Sequence, residues 1–268
     1  MQHDYWQQQK PDEPLFADVE WEKPEQRSQA GRIGIVGGNK LGFAGIAEAY
    51  NVAYGAGVGT VKVLLPDSLK KMIPASWTDV AYGPSTASGG LAKDGLPDIM
   101  ALADWSTVLL LAGDAGRNSE TAILYESLLR ETSRPIVITR DAIDLVANAP
   151  EMLASRADTT LVLSFAQLQK LFRAVYYPKV LTFSMHLMQL VEAVHKFTVT
   201  YPVTLAVLHK DTLIVASGGQ VTTTPWDSPM LIWRGNTAAR AAVYLGWDTA
   251  NPLKMVTASL IRPKTDEK

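Results

Sequence analysis

Cysteine is absent from all 268 residues, which excludes disulfides, thiolate catalysis and cysteine-based zinc sites. Long apolar runs are missing as well, since no stretch reaches the roughly 18 residues of a membrane-spanning helix. Charge of one sign is not in excess: 25 basic and 27 acidic residues leave a net charge of -2, so nothing general attracts nucleic acid or an anionic membrane. The opening MQHDYWQQQK lacks the basic start and apolar centre of a signal peptide, and the expectation is a soluble, cytoplasmic protein. The four histidines, His3, His186, His195 and His209, form no close pair, so no metal box is expected. G-x-S-x-G is missing, and so are G-x-G-x-x-G and G-x-x-x-x-G-K-[ST].

What is present is 47% hydrophobic residues, enough to fill a large core. Residues 1–30 are rich in Gln, Glu, Lys and Pro without a sustained period, and read as an extended N-terminal arm that Trp6, Phe16 and Trp21 pin down. From Arg32 the texture changes to short apolar strands alternating with helical patterns, the mark of βαβ units around a mainly parallel, doubly wound sheet in one domain, 31–268. Strands are expected near 32–37, 60–65, 107–111, 135–138 and 159–163, with helices at 45–56, 96–103, 118–131 and 141–147. A helix at 179–197 then leads into VTLAVLHKDTLIVASGGQVTTT, which reads as an antiparallel meander of two or three strands, and a helix at 236–246 closes the domain.

Three turns carry the candidate chemistry. GRIGIVGGNKLGFAG, 31–45, runs from a strand through glycines into a helix; Gly38 and Asn39 either touch a ligand or serve a tight turn. LLLAGDAGRN, 109–118, repeats the design at the carboxyl end of a strand, where open α/β sheets bind ligands; Gly113 and Gly116 allow close approach and Arg117 offers a forked cation. In RPIVITRDAIDLV, Asp141 follows a strand and reads as a helix N-cap. The third turn is Arg234-Gly235-Asn236-Thr237, which opens the last helix: exposed N–H groups, a glycine and the helix dipole favour an anion there. No acid lies between Arg234 and Tyr244 to act as a base. Lys210, between two strands, either neutralises phosphate or marks a solvated turn.

Taken in order, the glycine turn at 37–45, GAGVGTVKVLLPDSL at 55–69, GDAGR at 113–117, RPIVITRDAIDLV and the closing RGN helix form a series that resembles the ADP- or ATP-dependent NAD(P)H-hydrate dehydratases. These are the C-terminal domain of YjeF-type proteins and have a ribokinase-like fold; the resemblance spans roughly residues 28–262. GDAGR is similar to the family's G-P-G-[LIM]-G-R, and TRDAIDLV to its D-A-D-A-L-N-L-L. The resemblance implies ADP or ATP as cosubstrate, with Mg as an accompanying ion, a hydrated nicotinamide dinucleotide as partner, and homo-oligomeric assembly. In that family the nucleotide phosphorylates the added hydroxyl and phosphate then leaves, while an aspartate in G-T-G-D accepts the hydroxyl proton. The resemblance assigns nucleotide binding to Lys210, Arg234, Gly235 and Thr237, and substrate binding to Gly38, Asn39, Gly113, Gly116 and Arg117.

The departures fall on the chemistry. G-T-G-D appears as Trp233-Arg234-Gly235-Asn236, so the base position holds a carboxamide. LSFAQLQKL, 163–171, which the resemblance makes a loop, stands where the family has T-P-H-P-G-E, and the first aspartate of D-A-D-A-L is Thr139. A lost base costs about 10² to 10⁴ in rate, so the fold is expected to persist with catalysis weak or absent. Two other readings stand beside this one: an active enzyme using another acid such as Asp227, and a non-catalytic nucleotide-binding or structural protein. A dehydrogenase with Asp67 on the ribose is disfavoured by the glycine spacing.

Overall fold

Runs of β-branched and leucine residues become the parallel centre of one sheet. In the computed structural model, which describes residues 4–10, 12–74 and 77–261, the chain order is β1 (Trp6–Gln8), α1 (Val19–Glu22), β2 (Arg32–Gly37), α2 (Ala44–Gly55), β3 (Thr60–Pro66), β4 (Val80–Gly83) and α3 (Leu96–Trp105). Next come β5 (Val108–Gly113), α4 (Ser119–Glu131), β6 (Ile136–Thr139), α5 (Asp141–Val146), α6 (Pro150–Ser155), β7 (Thr159–Leu163), α7 (Phe165–Ala174) and α8 (Leu187–Thr200). Strands β8 (Thr204–His209), β9 (Thr212–Ser217) and β10 (Gln220–Pro225) precede α9 (Met230–Trp233), α10 (Asn236–Trp247) and α11 (Pro252–Ala258). His3 lies outside the described residues.

Among the described residues ten strands form one sheet in the order β1-β10-β9-β8-β7-β6-β5-β2-β3-β4. From β4 to β8 every pairing is parallel, whereas β8, β9 and β10 form the antiparallel meander read from the sequence. Because the centre is covered on both faces, its strands bury both sets of side chains. Leu109 and Leu111 face a layer that includes α3, α4, α7 and α8, while Val108, Leu110 and Ala112 face α2, α10 and α11. The carboxyl ends of the parallel strands therefore meet the openings of helices from both layers at one rim.

Several elements depart from the sequence reading. The helix expected at 179–197 starts at Leu187, where the Gln189 side chain accepts from the His186 N–H at 3.2 Å and stops the chain from coiling earlier. Residues 163–171 are a strand end and a helix rather than a loop. Ser164 Oγ accepts from the Gln167 N–H at 3.2 Å, Gln167 Oε1 accepts from the Ser164 N–H at 3.0 Å, and the box starts α7. The segment Trp6–Gln9 is bound into the sheet: β1 pairs in parallel with β10, and the buried Gln9 donates to Thr224 Oγ1 and the Thr257 carbonyl. Trp6 and Phe16 pack against the two layers as expected, but Trp21 does not, since it is 90% exposed.

Candidate functional site

Two glycines decide how closely the rim can pack. Gly113, the last residue of β5, has φ +88°, and a methyl there would stand 2.5 Å from Asp141 Oδ1 and 3.0 Å from Arg140 Cβ. Gly235, with φ +90°, turns the chain into α10 with no side-chain cap, leaving the first N–H groups of that helix without an internal partner. A methyl on Gly235 would meet Arg140 Cδ at 3.5 Å, and the Ala112 carbonyl and Thr139 Cγ2 at 4.0 Å. The opening of α10 thus sits on the ends of β5 and β6, with the stem of Arg140 passing between two glycines.

Arg140 then reaches across the rim. Its Nη2 donates to Asp114 Oδ1 at 2.5 Å, while Asp114 Oδ2 accepts from the Gly45 N–H near the start of α2 at 2.6 Å. Both residues of the pair have positive φ, 53° for Asp114 and 58° for Arg140, a conformation that side chains adopt only when the surroundings enforce it. Part of that enforcement is visible: Gln167 Nε2 donates to the Arg140 carbonyl at 2.8 Å and to Asp144 at 3.0 Å. Neither member of this ion pair stood out in the sequence, because a residue's backbone conformation and its partner 26 positions away leave no local pattern.

Asp141 is the first residue of α5, not its cap, which corrects the sequence reading. Its Oδ2 accepts from the Gly116 N–H at 3.0 Å, tying the two candidate turns together. Burial pushes its carboxyl above the usual aspartate range, against the opposing pull of the Gly116 N–H and Arg140. Asn39 is drawn into the same cluster, with Nδ2 donating to the Asp114 carbonyl at 2.5 Å and Oδ1 accepting from the Leu41 N–H at 2.7 Å. Gly38 donates to the Gly113 carbonyl at 3.0 Å. The rim therefore gathers Gly38, Asn39, Gly113 and Gly116; Arg117 is exposed beside them.

The helix turn divides differently. Asn236 and Thr237 line a half-open cavity of about 600 Å³ between α2 and α10, whose wall also includes Arg240, Trp226, Leu231, Ser259 and Leu260. Asn236 Oδ1 and Thr237 Oγ1 are buried there without a hydrogen-bond partner among the described residues. Glu48, on α2, lines the same cavity, so a carboxylate does stand in the space that residue 236 faces, and the sequence reading missed it. Asp227, the acid suggested from sequence, is exposed and accepts from Ser228 Oγ at 2.8 Å; it is not part of the cavity wall. Arg234 is exposed at the end of α9, and Lys210 is exposed in the β8–β9 turn with φ 56°; neither lines the cavity. Among the described residues no three His, Asp or Glu side chains gather as a metal site, and no helix is long and apolar enough to cross a membrane.

No protein-family profile matches the chain. A stretch of 123 residues, 45% of this chain, is 28% identical to the bifunctional NAD(P)H-hydrate repair enzyme Nnr of Methanothermobacter thermautotrophicus. The match spans 24% of that protein's length. Over less than half of its length the chain is thus similar to an NAD(P)H-hydrate repair enzyme. The fold of the chain matches solved structures over nearly its whole length. A ribokinase-like superfamily protein from Enterococcus faecalis aligns over 97% of this chain and 87% of its own with a TM-score of 0.72 at 11% identity. The ADP/ATP-dependent NAD(P)H-hydrate dehydratase of Bacillus subtilis, co-crystallised with ATP and Mg²⁺ and soaked with CoA, aligns over 92% and 86% with a TM-score of 0.62 at 13% identity. The ribokinase-like architecture expected from the sequence is therefore present, with its antiparallel C-terminal strands.

Proposed function

We propose that this protein binds ADP or ATP at the opening of α10 and that its NAD(P)H-hydrate dehydratase chemistry is weak or lost. The observation that carries the binding half is the uncapped start of α10, where Asn236 Oδ1 and Thr237 Oγ1 lie buried and unpartnered against a cavity of about 600 Å³. Free N–H groups and the helix dipole favour phosphate there, and a cavity of that size suits a mononucleotide. Orphaned buried polar atoms cost about 1–3 kcal/mol each, so they mark a place where a ligand is favoured.

The loss of chemistry follows from two substitutions of charge. Asn236 stands at the base position and its amide does not accept a proton at neutral pH, which costs about 10² to 10⁴ in rate. On the other side of Gly235 the chain's own Arg140 and Asp114 fill the crevice between the two glycine turns, leaving little room for a hydroxyl to approach a phosphoryl group. The reading carries with it a cytoplasmic setting and the homo-oligomeric assembly that the resemblance implies.

Thermal unfolding with AMP, ADP, ATP, NAD and NADH tests the binding half. ADP or ATP at 100 times its dissociation constant is expected to add about 2.7 kcal/mol of stability. Thr237→Val should raise the stability of the free protein by about 1 kcal/mol while weakening that ligand effect, because it removes an orphaned hydroxyl that the nucleotide would satisfy. No shift with any nucleotide would refute nucleotide binding. Recovery of reduced cofactor from hydrated NADH at ordinary enzyme rates would refute the loss of chemistry.

A further inference from the structure

The cavity beside α10 offers more acceptors than a phosphate can use. Phosphate oxygens accept hydrogen bonds and are repelled by carboxylates, so the backbone N–H groups of the helix opening and the Arg240 side chain on the cavity wall suit them, whereas Glu48 does not. Glu48 projects into this space from one turn inside α2, and no hydrogen bond or ion pair engages its carboxylate among the described residues. Asn236 Oδ1 is an acceptor with nothing to accept from, and the Thr237 hydroxyl, on a side chain only 3% exposed, is equally unpaired. Trp226 and Leu231 add an apolar wall. An acceptor patch beside an aromatic wall fits a sugar that carries hydroxyl donors.

We propose that Glu48 is a specificity-determining residue that accepts hydrogen bonds from the ribose hydroxyls of the bound nucleotide, so that the cavity selects ribonucleotides over 2′-deoxyribonucleotides. The inference rests on the nucleotide reading above. A carboxylate on the ribose 2′-hydroxyl is the same physical device that dinucleotide-binding folds use, here presented by a helix of the opposite wall. Losing the hydroxyl leaves Glu48 desolvated against a C–H group, and a lost hydrogen bond to a charged acceptor corresponds to about a tenfold or larger loss of affinity.

Calorimetric titration of the full chain with ATP, 2′-deoxyATP and tripolyphosphate, repeated for Glu48→Gln and Glu48→Ala, tests this. Wild type is expected to bind ATP about tenfold or more tightly than 2′-deoxyATP. Glu48→Ala should bind the two nucleotides equally, and Glu48→Gln, whose amide oxygen still accepts but carries no charge, should keep a smaller preference than wild type, with tripolyphosphate binding no weaker than in wild type. Equal affinity of wild type for the two nucleotides, or a ribose preference undiminished in both variants, overturns the assignment while leaving the nucleotide reading intact. Binding of none of the three ligands refutes that reading and the assignment with it. The glutamine variant keeps the side-chain shape, so misfolding of the alanine variant alone does not blur the outcome.

Discussion

Asp141 shows how one side chain records its surroundings. Burial raises its carboxyl pKa above the ordinary aspartate value, and the Gly116 N–H and Arg140 offset this only in part. The folded state then holds the proton more tightly than the unfolded chain, so this group favours folding at low pH and its contribution is lost as pH rises through the raised value. Wild type should therefore gain stability relative to Asp141→Asn as the pH is lowered from neutral to about 4, a trend that denaturant titrations at several pH values would record. A difference that does not change with pH, or one of opposite sign, would show that the carboxyl is not held in this way. From sequence, Asp141 read as a cap because an acid after a strand usually is one; the Gly113 and Gly116 turn claims it instead, through a contact 25 positions away.

At the scale of elements, periodicity carried most of the reading. The parallel strands β2, β3, β5, β6 and β7 and the helices α2, α4 and α10 were legible because each has an apolar face set by packing, whereas the short edge strand β4 was not. Helix α7 was not, since the resemblance suggested a loop at 163–171, and only the Ser164–Gln167 box reveals that a helix begins there. This helix matters for the rim: Gln167 serves the cap with its Oε1 and holds the Arg140 carbonyl with its Nε2. Ser164→Ala should cost about 1 kcal/mol in urea unfolding, as cap losses commonly do. A cost near zero would mean that α7 is held by its buried Phe165, Leu168 and Phe172 alone.

For the whole molecule, the ends of the chain were the least legible part. Nothing in the polar texture of residues 1–30 announces a strand, because β1 gets its order from the edge of β10 rather than from its own composition. Removing residues 1–10 would uncover that edge and break the buried bonds of Gln9 and the Trp6 bond to Thr223. Calorimetry should show a melting point lower by about 5–10 °C, and light scattering should show self-association through the bared strand. An unchanged melting point would make the segment an ornament of the sheet. The rim carries a different consequence. Arg140 and Asp114 hold each other with side chains only 24% and 19% exposed, so deleting either alone strands its counterpart as an uncompensated charge. Any mutational path back to an open crevice must therefore cross a valley of unstable single mutants, and the lock acts as a ratchet that makes the closed state easier to keep than to leave.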